Sequence, residues 1–396
     1  MEKIKTILEI GILVFLALLL ENFVMENAFE LTDNATGAKM PYWIGLMLLL
    51  GVLSFLNRGY ISITYETHKF YKRYSLFLIV SYILILVSSL INQLPSRIYY
   101  LQLVMPIVAL YCSYISIQKQ QSFKIIASIY LLFFCYMIWV YYQSFQILSL
   151  LSTLTITYRN SGSYEILILL PILLCFSNKH VRWGSFVIMG IVMITCLKRG
   201  GFIAYALGVL MYICCYLSNK GKSISVKYII ALALLIYIIP PAIEYFDGQL
   251  GGAFFRRFTE SDDYAEEGRS SIYVITLEMF TNSNIFQIIF GHGFNRVVHD
   301  SPLHLSAHND FLEVIYDYGI ICFAIYLSVY IYMIKLLFSQ IKQKSRYAPP
   351  LAFSLSVFIV LSLVSHIVKY PIRLIEFSIV WGCLLGLISR EKDIIN

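Results

Sequence analysis

Charge is what this sequence has least of: Asp, Glu, Lys and Arg make up 13% of its 396 residues. A soluble domain carries roughly a quarter of its residues charged. An ordinary globular enzyme is therefore excluded, and so is a disordered chain, which requires low hydrophobicity. Metal-type cysteine spacing is missing as well. No Cys-x-x-Cys occurs, and the eight cysteines (Cys112, Cys135, Cys175, Cys196, Cys214, Cys215, Cys322, Cys383) all lie in apolar stretches. They read as small buried hydrophobes with no disulfide framework. No Asp-x-Asp pair, internal repeat, heptad or low-complexity tract is found. What remains is apolar: 59% hydrophobic residues and a mean hydropathy of +0.74. Lipid is then the solvent for most of the surface, and the chain reads as an all-α polytopic membrane protein.

A span needs about 20 apolar residues. About twelve transmembrane helices are expected, near 6–25, 41–57, 74–92, 98–117, 123–142, 164–178, 183–198, 201–217, 226–243, 310–336, 349–368 and 374–389. Lys3 and Lys5 before an apolar run resemble a signal peptide, but no small-residue cleavage site follows. Loop charge sets the orientation. Alternate gaps, counted from the N-terminus, hold 19 of the 30 basic residues and only four acids, Glu2, Glu66, Glu391 and Asp393. Both termini are thus expected in the cytoplasm, and most of the +7 net charge is a topology signal. Three regions follow: helices within 1–243, a long outward loop at 244–309, and helices within 310–396. In the loop, Tyr264 to Asn282 has helical spacing, with Ile272, Ile275, Leu277 and Met279 apolar, and predicts one amphipathic helix on the membrane surface. The loop holds four Arg against nine acids, so it is no surface for nucleic acid or another polyanion.

The informative cations are those stranded on the outward side. Lys198-Arg199-Gly200-Gly201 separates two apolar runs with hardly any loop. Charge at that depth is often functional, and the glycines allow close approach of backbone and ligand; a snorkelling pair in a tight turn is the alternative. Four of the seven histidines, His292, His299, His304 and His308, fall within 17 residues. His304 and His308, four apart, would suit a metal on a helix, but no Cys or carboxylate completes a ligand pattern. Imidazoles near headgroups are the other reading. Ser306 is a possible cap of the tenth span, with His308 in its first turn. The positive end of the helix dipole there favours a neutral imidazole and an anionic substrate group. Asp310, Glu313 and Asp317 follow at spacings of three and four and share one helical face. Lys369 and Arg373 are expected either as cationic partners of this stripe or as phosphate contacts. Gly268-Arg269-Ser270-Ser271 opens the amphipathic helix, and Arg is the preferred fork for phosphate oxygens. The 31 tyrosines, including Tyr99-Tyr100 and Tyr141-Tyr142, read as interfacial belt residues rather than as sugar-stacking platforms.

Outward Arg-Gly between spans, a loop with Gly-Arg-Ser, then "IIFGHGFNRV" and "SAHNDFLEVIYDYGIICFAIYL" resemble the O-antigen ligase and Wzy polymerase superfamily over roughly 195–330. Lys198 stands where a small hydroxyl residue often precedes the Arg, and Cys322 where Gly is common. The resemblance implies a GT-C-like membrane fold and metal-independent, inverting glycosyl transfer from undecaprenyl pyrophosphate to an acceptor hydroxyl, with no cofactor. It assigns pyrophosphate binding to Arg199 and Arg269; from the residues themselves, Lys198, Asn309, Glu313, Lys369 and Arg373 are further substrate-binding candidates. His308 is assigned the acceptor hydroxyl. The expected partners are the lipid-linked oligosaccharide donor, the acceptor glycan, the bilayer of the inner membrane and a chain-length regulator. A repeat-unit polymerase is the favoured activity and an O-antigen ligase the near rival. A lipid-linked glycan flippase is the rival of another class, and it would place charges at mid-span; Glu9 and Glu165 are the marginal candidates for that.

Overall fold

Wherever the computed structural model describes the chain, the long apolar stretches form helices. It describes residues 65–91, 97–117, most of 128–143, 162–196, 198–220 and 263–395. The spans expected at 6–25, 41–57 and 226–243, and loop residues 244–262, lie outside them. The helices are α1 (Tyr65–Ile91), α2 (Arg97–Ile117), α3 (Gly162–Leu174), α4 (Lys179–Thr195), α5 (Arg199–Asn219), α6 (Asp263–Thr281), α7 (Ile285–Phe290), α8 (Arg296–Asp300), α9 (Asp310–Lys342), α10 (Ala348–Val364) and α11 (Pro371–Ile395). Helical residues also recur between 128 and 143. No strand occurs among the described residues.

By length and composition, three of these helices are apolar enough to cross a membrane: α1 over Lys69–Val87, α5, and α9. Others are apolar but shorter. α3 has 13 residues, about 20 Å at 1.5 Å per residue, against a hydrocarbon core of about 30 Å. α10 ends at Val364, four residues before the expected boundary, because Ser365 turns to extended backbone. Residues 365–370 are therefore loop. The amphipathic helix is present as α6, but its apolar residues split: Ile272 is buried, whereas Leu277 is 49% exposed.

Helix ends follow local chemistry. Asn284 and Gln287 form a reciprocal capping box on α7, and prolines open α10 and α11, where a missing N–H costs nothing. In the core, α11 packs along α2 and α10 along α5. Gly382 and Gly386 bring α11 against the α2 backbone; a Cβ at Gly382 would meet the Leu110 carbonyl at 2.7 Å. Trp381 is enclosed by Phe70, Tyr74, Phe358 and Phe377 and donates to Ser354 Oγ at 3.0 Å.

The tyrosine expectation needs correction. Tyr74, Tyr114, Tyr326, Tyr330 and Tyr347 are buried rather than interfacial. Buried hydroxyls must find partners, and these do: Tyr74 bonds Ser378, and Tyr326 and Tyr330 share Ser362. The cysteine expectation holds for five of the eight; Cys175 is half-buried, and Cys135 and Cys214 are exposed on helix surfaces.

α9 breaks at Gly319, which adopts φ +76° inside the helix. The segment after α7 docks into this break. His292 and Gly293 donate their N–H groups to the carbonyls of Tyr316 and Asp317 at 3.1 and 2.9 Å. The His292 ring stacks on Tyr316 at 4.0 Å, donates from Nδ1 to the Tyr316 carbonyl at 3.1 Å, and meets Ser283 Oγ through Nε2 at 2.9 Å.

Two outcomes are expected. Gly319→Ala places a Cβ 2.4 Å from the Ile289 carbonyl at a left-handed φ, and the strain should cost about 1–3 kcal/mol, read as a lower thermal midpoint in detergent. The second concerns pH. Burial holds the His292 imidazole below the ordinary histidine range. The unfolded chain takes up its proton near pH ~6.5, while the folded chain does so only lower. Stability is thus lost as pH falls below about 6.5. Midpoints measured across that range should decline, with a shallower decline in His292→Gln.

Candidate active site

Four helices, α3, α5, α9 and α11, begin beside one another. Gly201 at the start of α5 lies against the Tyr164 ring of α3; a Cβ there would meet it at 2.8 Å. Gly200 similarly faces Val364, the last residue of α10. The close approach expected of these glycines is made to protein side chains. Arg373 of α11 pairs with Glu165 of α3, Nε to Oε1 at 3.6 Å, with both residues buried. Asp310, the first residue of α9, accepts from the backbone N–H groups of Ile367 and Val368 at 3.1 and 3.3 Å. Each helix contributes the positive end of its dipole to this end of the bundle.

Tyr164 is a shared platform. Lys198 Nζ lies 5.1 Å from the ring centroid and the Arg373 guanidinium 5.0 Å, both within cation–π range. Arg373 also stacks on Tyr370 and donates to Ser365 Oγ and the His366 carbonyl. Arg199 is the first residue of α5, half-buried beside Lys198. Arg269 lies in the second turn of α6 rather than at its start, and its side chain is outside the described residues.

His308 is not in the first turn of α9. The cap is Asn309, not Ser306: its side chain accepts from the N–H groups of Phe311 and Leu312 at 2.9 and 3.3 Å. Ser306 bonds His366 instead. His308 precedes the cap at φ +50°, and His304 has φ +50° as well. The helical spacing considered for a metal pair therefore does not exist, since 302–309 are non-helical.

The ring beside His308 is His366, which sequence reasoning missed. The two imidazole centroids are 4.4 Å apart. His366 is 3% exposed. Its Nε2 lies 2.9 Å from Ser306 Oγ, and its Nδ1 lies 3.4 Å from Glu313 Oε1. A hydroxyl and a carboxylate thus flank this ring on its two nitrogens, and His308 lies against it at a tilt of 36°. The available signal was the run His366, Lys369, Arg373 at spacings of three and four. It was hidden because His366 had been absorbed into a span.

The acidic stripe divides by partner. Asp310 is bonded to backbone and reached by the Tyr326 hydroxyl at 3.4 Å. Glu313 faces His366 with Lys369 in electrostatic reach. Asp317 accepts from the N–H groups of Asn295, Arg296 and Val297 at 2.9, 3.0 and 3.1 Å and so caps α8. Lys369 lies within electrostatic reach of Glu313 and Asp317, and Arg373 pairs with Glu165, outside the stripe. Glu376, also missed, is buried beside Glu165 and Arg373 with no hydrogen-bond partner among the described residues.

The fold and site together define a helical membrane protein with cations, paired imidazoles and carboxylates gathered where several helices begin. Residues 184–327 match the family model described as O-antigen ligase. The match supports the O-antigen ligase and Wzy polymerase superfamily, whose members are glycosyltransferase-like enzymes. It covers just over a third of the chain and includes Arg199, Arg269, His308 and Glu313, but ends before His366, Lys369 and Arg373. No curated protein sequence matches the chain.

Asp310→Ala should leave two buried N–H groups without an acceptor, costing about 3 kcal/mol. Asp310→Asn keeps one carbonyl acceptor and should cost less. Thermal unfolding of the purified variants checks both.

Proposed function

We propose that this protein is a polysaccharide repeat-unit polymerase of the inner membrane, with about twelve spans in a GT-C-like arrangement, both termini cytoplasmic and its site facing outward. The observation that carries this reading is the His308–His366–Glu313 group set against Lys198, Arg199 and Arg373, where four helices begin. Helix N-termini and cations suit a pyrophosphate. An oriented imidazole suits a hydroxyl that must lose a proton.

In this reading the donor is a glycan on undecaprenyl pyrophosphate, since no nucleotide sugar reaches the outer face. The acceptor is the terminal sugar of a second lipid-linked unit. Arg199 and Arg269 grip the pyrophosphate. His308 takes the proton of the acceptor hydroxyl as its oxygen attacks the anomeric carbon from the side opposite the leaving group. A new C–O bond forms, the old anomeric C–O bond breaks, and lipid pyrophosphate leaves. The configuration inverts, and the charge that grows on the leaving group is met by the guanidinium groups. Lys369 and Arg373 stand as further phosphate contacts, and a chain-length regulator would act from outside this site.

The second reading is a ligase that moves finished polymer onto lipid A–core, an activity the family match supports equally. A gel of surface glycan from a deletion strain separates the two. Single repeat units on the core mark a lost polymerase. Lipid-linked polymer with none on the core marks a lost ligase. A flippase would lose both and leave glycan on the inner leaflet.

Arg199→Ala and Arg269→Ala should each lower transfer about 10²–10³-fold while the protein still inserts. His308→Ala should abolish it, and normal polymer from that variant would sink the base role. His366→Ala should lower kcat about 10²-fold through misplacement of His308, with KM little changed and partial rescue by His366→Gln.

A further inference from the structure

A second cavity lies beside this site. It has a volume of about 850 Å³ and opens between the end of α6, the α7–α8 segment, α9 and the outer part of α1. That volume is within the ~300–1,000 Å³ typical of small-ligand sites. Asn282, Ser283 and Gln287 offer amide and hydroxyl groups on one side. His292 and Tyr316 form a planar stack on another, and Leu84 and Val87 of α1 close it with an apolar edge.

Charge decides what fits. Among the described residues, Arg296 is the only cation lining the cavity, and Asp300 takes its fork with both oxygens, Nε to Oδ2 at 3.2 Å and Nη2 to Oδ1 at 2.9 Å. The Tyr316 hydroxyl donates to the same carboxylate at 3.0 Å. The pair is closed and neutral, so the cavity has no net positive charge to hold a phosphate. A lipid tail would leave the amides, the hydroxyl and the ion pair dry. A sugar chain presents both hydroxyls and flat C–H faces, which match a lining of hydrogen-bonding groups and ring planes. Tyr316 lies three residues past Glu313 on α9, so the cavity and the candidate active site are a helical turn apart, about 5 Å along the axis.

We infer that this cavity is a subsite for an uncharged, hydroxyl-rich stretch of glycan adjoining the reacting sugar. The inference rests on reading the protein as a glycan transferase, and its test is separable from that reading.

The probe is the repeat-unit oligosaccharide freed from its lipid by mild acid, so that it carries no pyrophosphate. It is added to the full-length protein in nanodiscs and followed by saturation-transfer NMR. Wild-type protein should bind it. Asn282→Trp and Val87→Trp, on different elements and both filling the cavity, should weaken binding at least tenfold, and Arg199→Ala should leave it unchanged. Equal binding by the two Trp variants overturns the subsite, as does loss in Arg199→Ala or absence of binding by wild type. Hydrogen–deuterium exchange on the wild type alone gives a second readout: the oligosaccharide must protect residues 282–300, and protection confined elsewhere overturns the assignment. A wild type that makes polymer yet fails these tests refutes the subsite alone. A deletion strain with unaltered surface glycan refutes the transferase reading, and the binding data still decide the cavity.

Discussion

The Asp310 carboxylate is the constraint on which the site depends. It sits at the first residue of α9 and holds the backbone of Ile367 and Val368, 57 and 58 residues further along the chain. Those N–H groups belong to a loop that has left its helix at Val364 and has no intrahelical acceptor. In a buried setting such donors must be met, and a carboxylate meets two at once. With the loop pinned to the start of α9, His366 has little choice of place. It lands between Ser306 and Glu313 with its ring 4.4 Å from that of His308. Arg373, anchored to the same loop through Ser365 and the His366 carbonyl, carries the arrangement across to α3 through Glu165.

The three carboxylates of one helical face show how chemistry diverges within two turns. Asp310 and Asp317 are occupied by backbone N–H groups, one tying the α10–α11 loop and the other ordering α8. Glu313 is likewise met by backbone N–H groups, those of Ala307 and His308, and differs in also facing an imidazole at 3.4 Å, longer than an ordinary hydrogen bond. Of the three, it is the group whose partner can gain or lose a proton. Burial does not make this distinction, since all three are buried.

Hydropathy made the long helices legible: α1, α5 and α9 begin and end within a few residues of expectation, apart from the first turns of α1 and the last six residues of α9. The motif order from Arg199 to His308 was legible too. What hydropathy cannot see is a backbone that turns while its side chains stay apolar. Ile367 and Val368 read as span, yet they are loop, because their N–H groups find Asp310 rather than a helical carbonyl. His366 was lost with them. The cap of α9 was misplaced for a related reason. Ser306 and Asn309 both satisfy the capping rule, and the choice is made by the left-handed turn at His308, which no local pattern announces. The tyrosines misled because a ring with a hydroxyl suits a membrane interface and a buried network equally well. Partners such as Ser362 and Ser378 lie far off in sequence.

A division of labour along α9 follows from where the charges are closed. Near its first turn, charged groups of both signs gather with helix N-termini: Lys198 and Arg373 share the Tyr164 ring, Arg373 pairs with Glu165, and Glu313 faces His366. One to two turns on, Asp300 has closed the Arg296 fork, Asp317 has been spent on α8, and the neighbouring cavity is neutral. A glycosyl pyrophosphate has this same asymmetry, charged at the carrier and neutral along the sugar. The break at Gly319 lets the α7–α8 segment dock onto the second turn, and so brings the cavity close to the end where the charged groups gather. An unbroken helix would offer no seat for that segment. The kink is thus as much a part of the site as the histidines it lies behind.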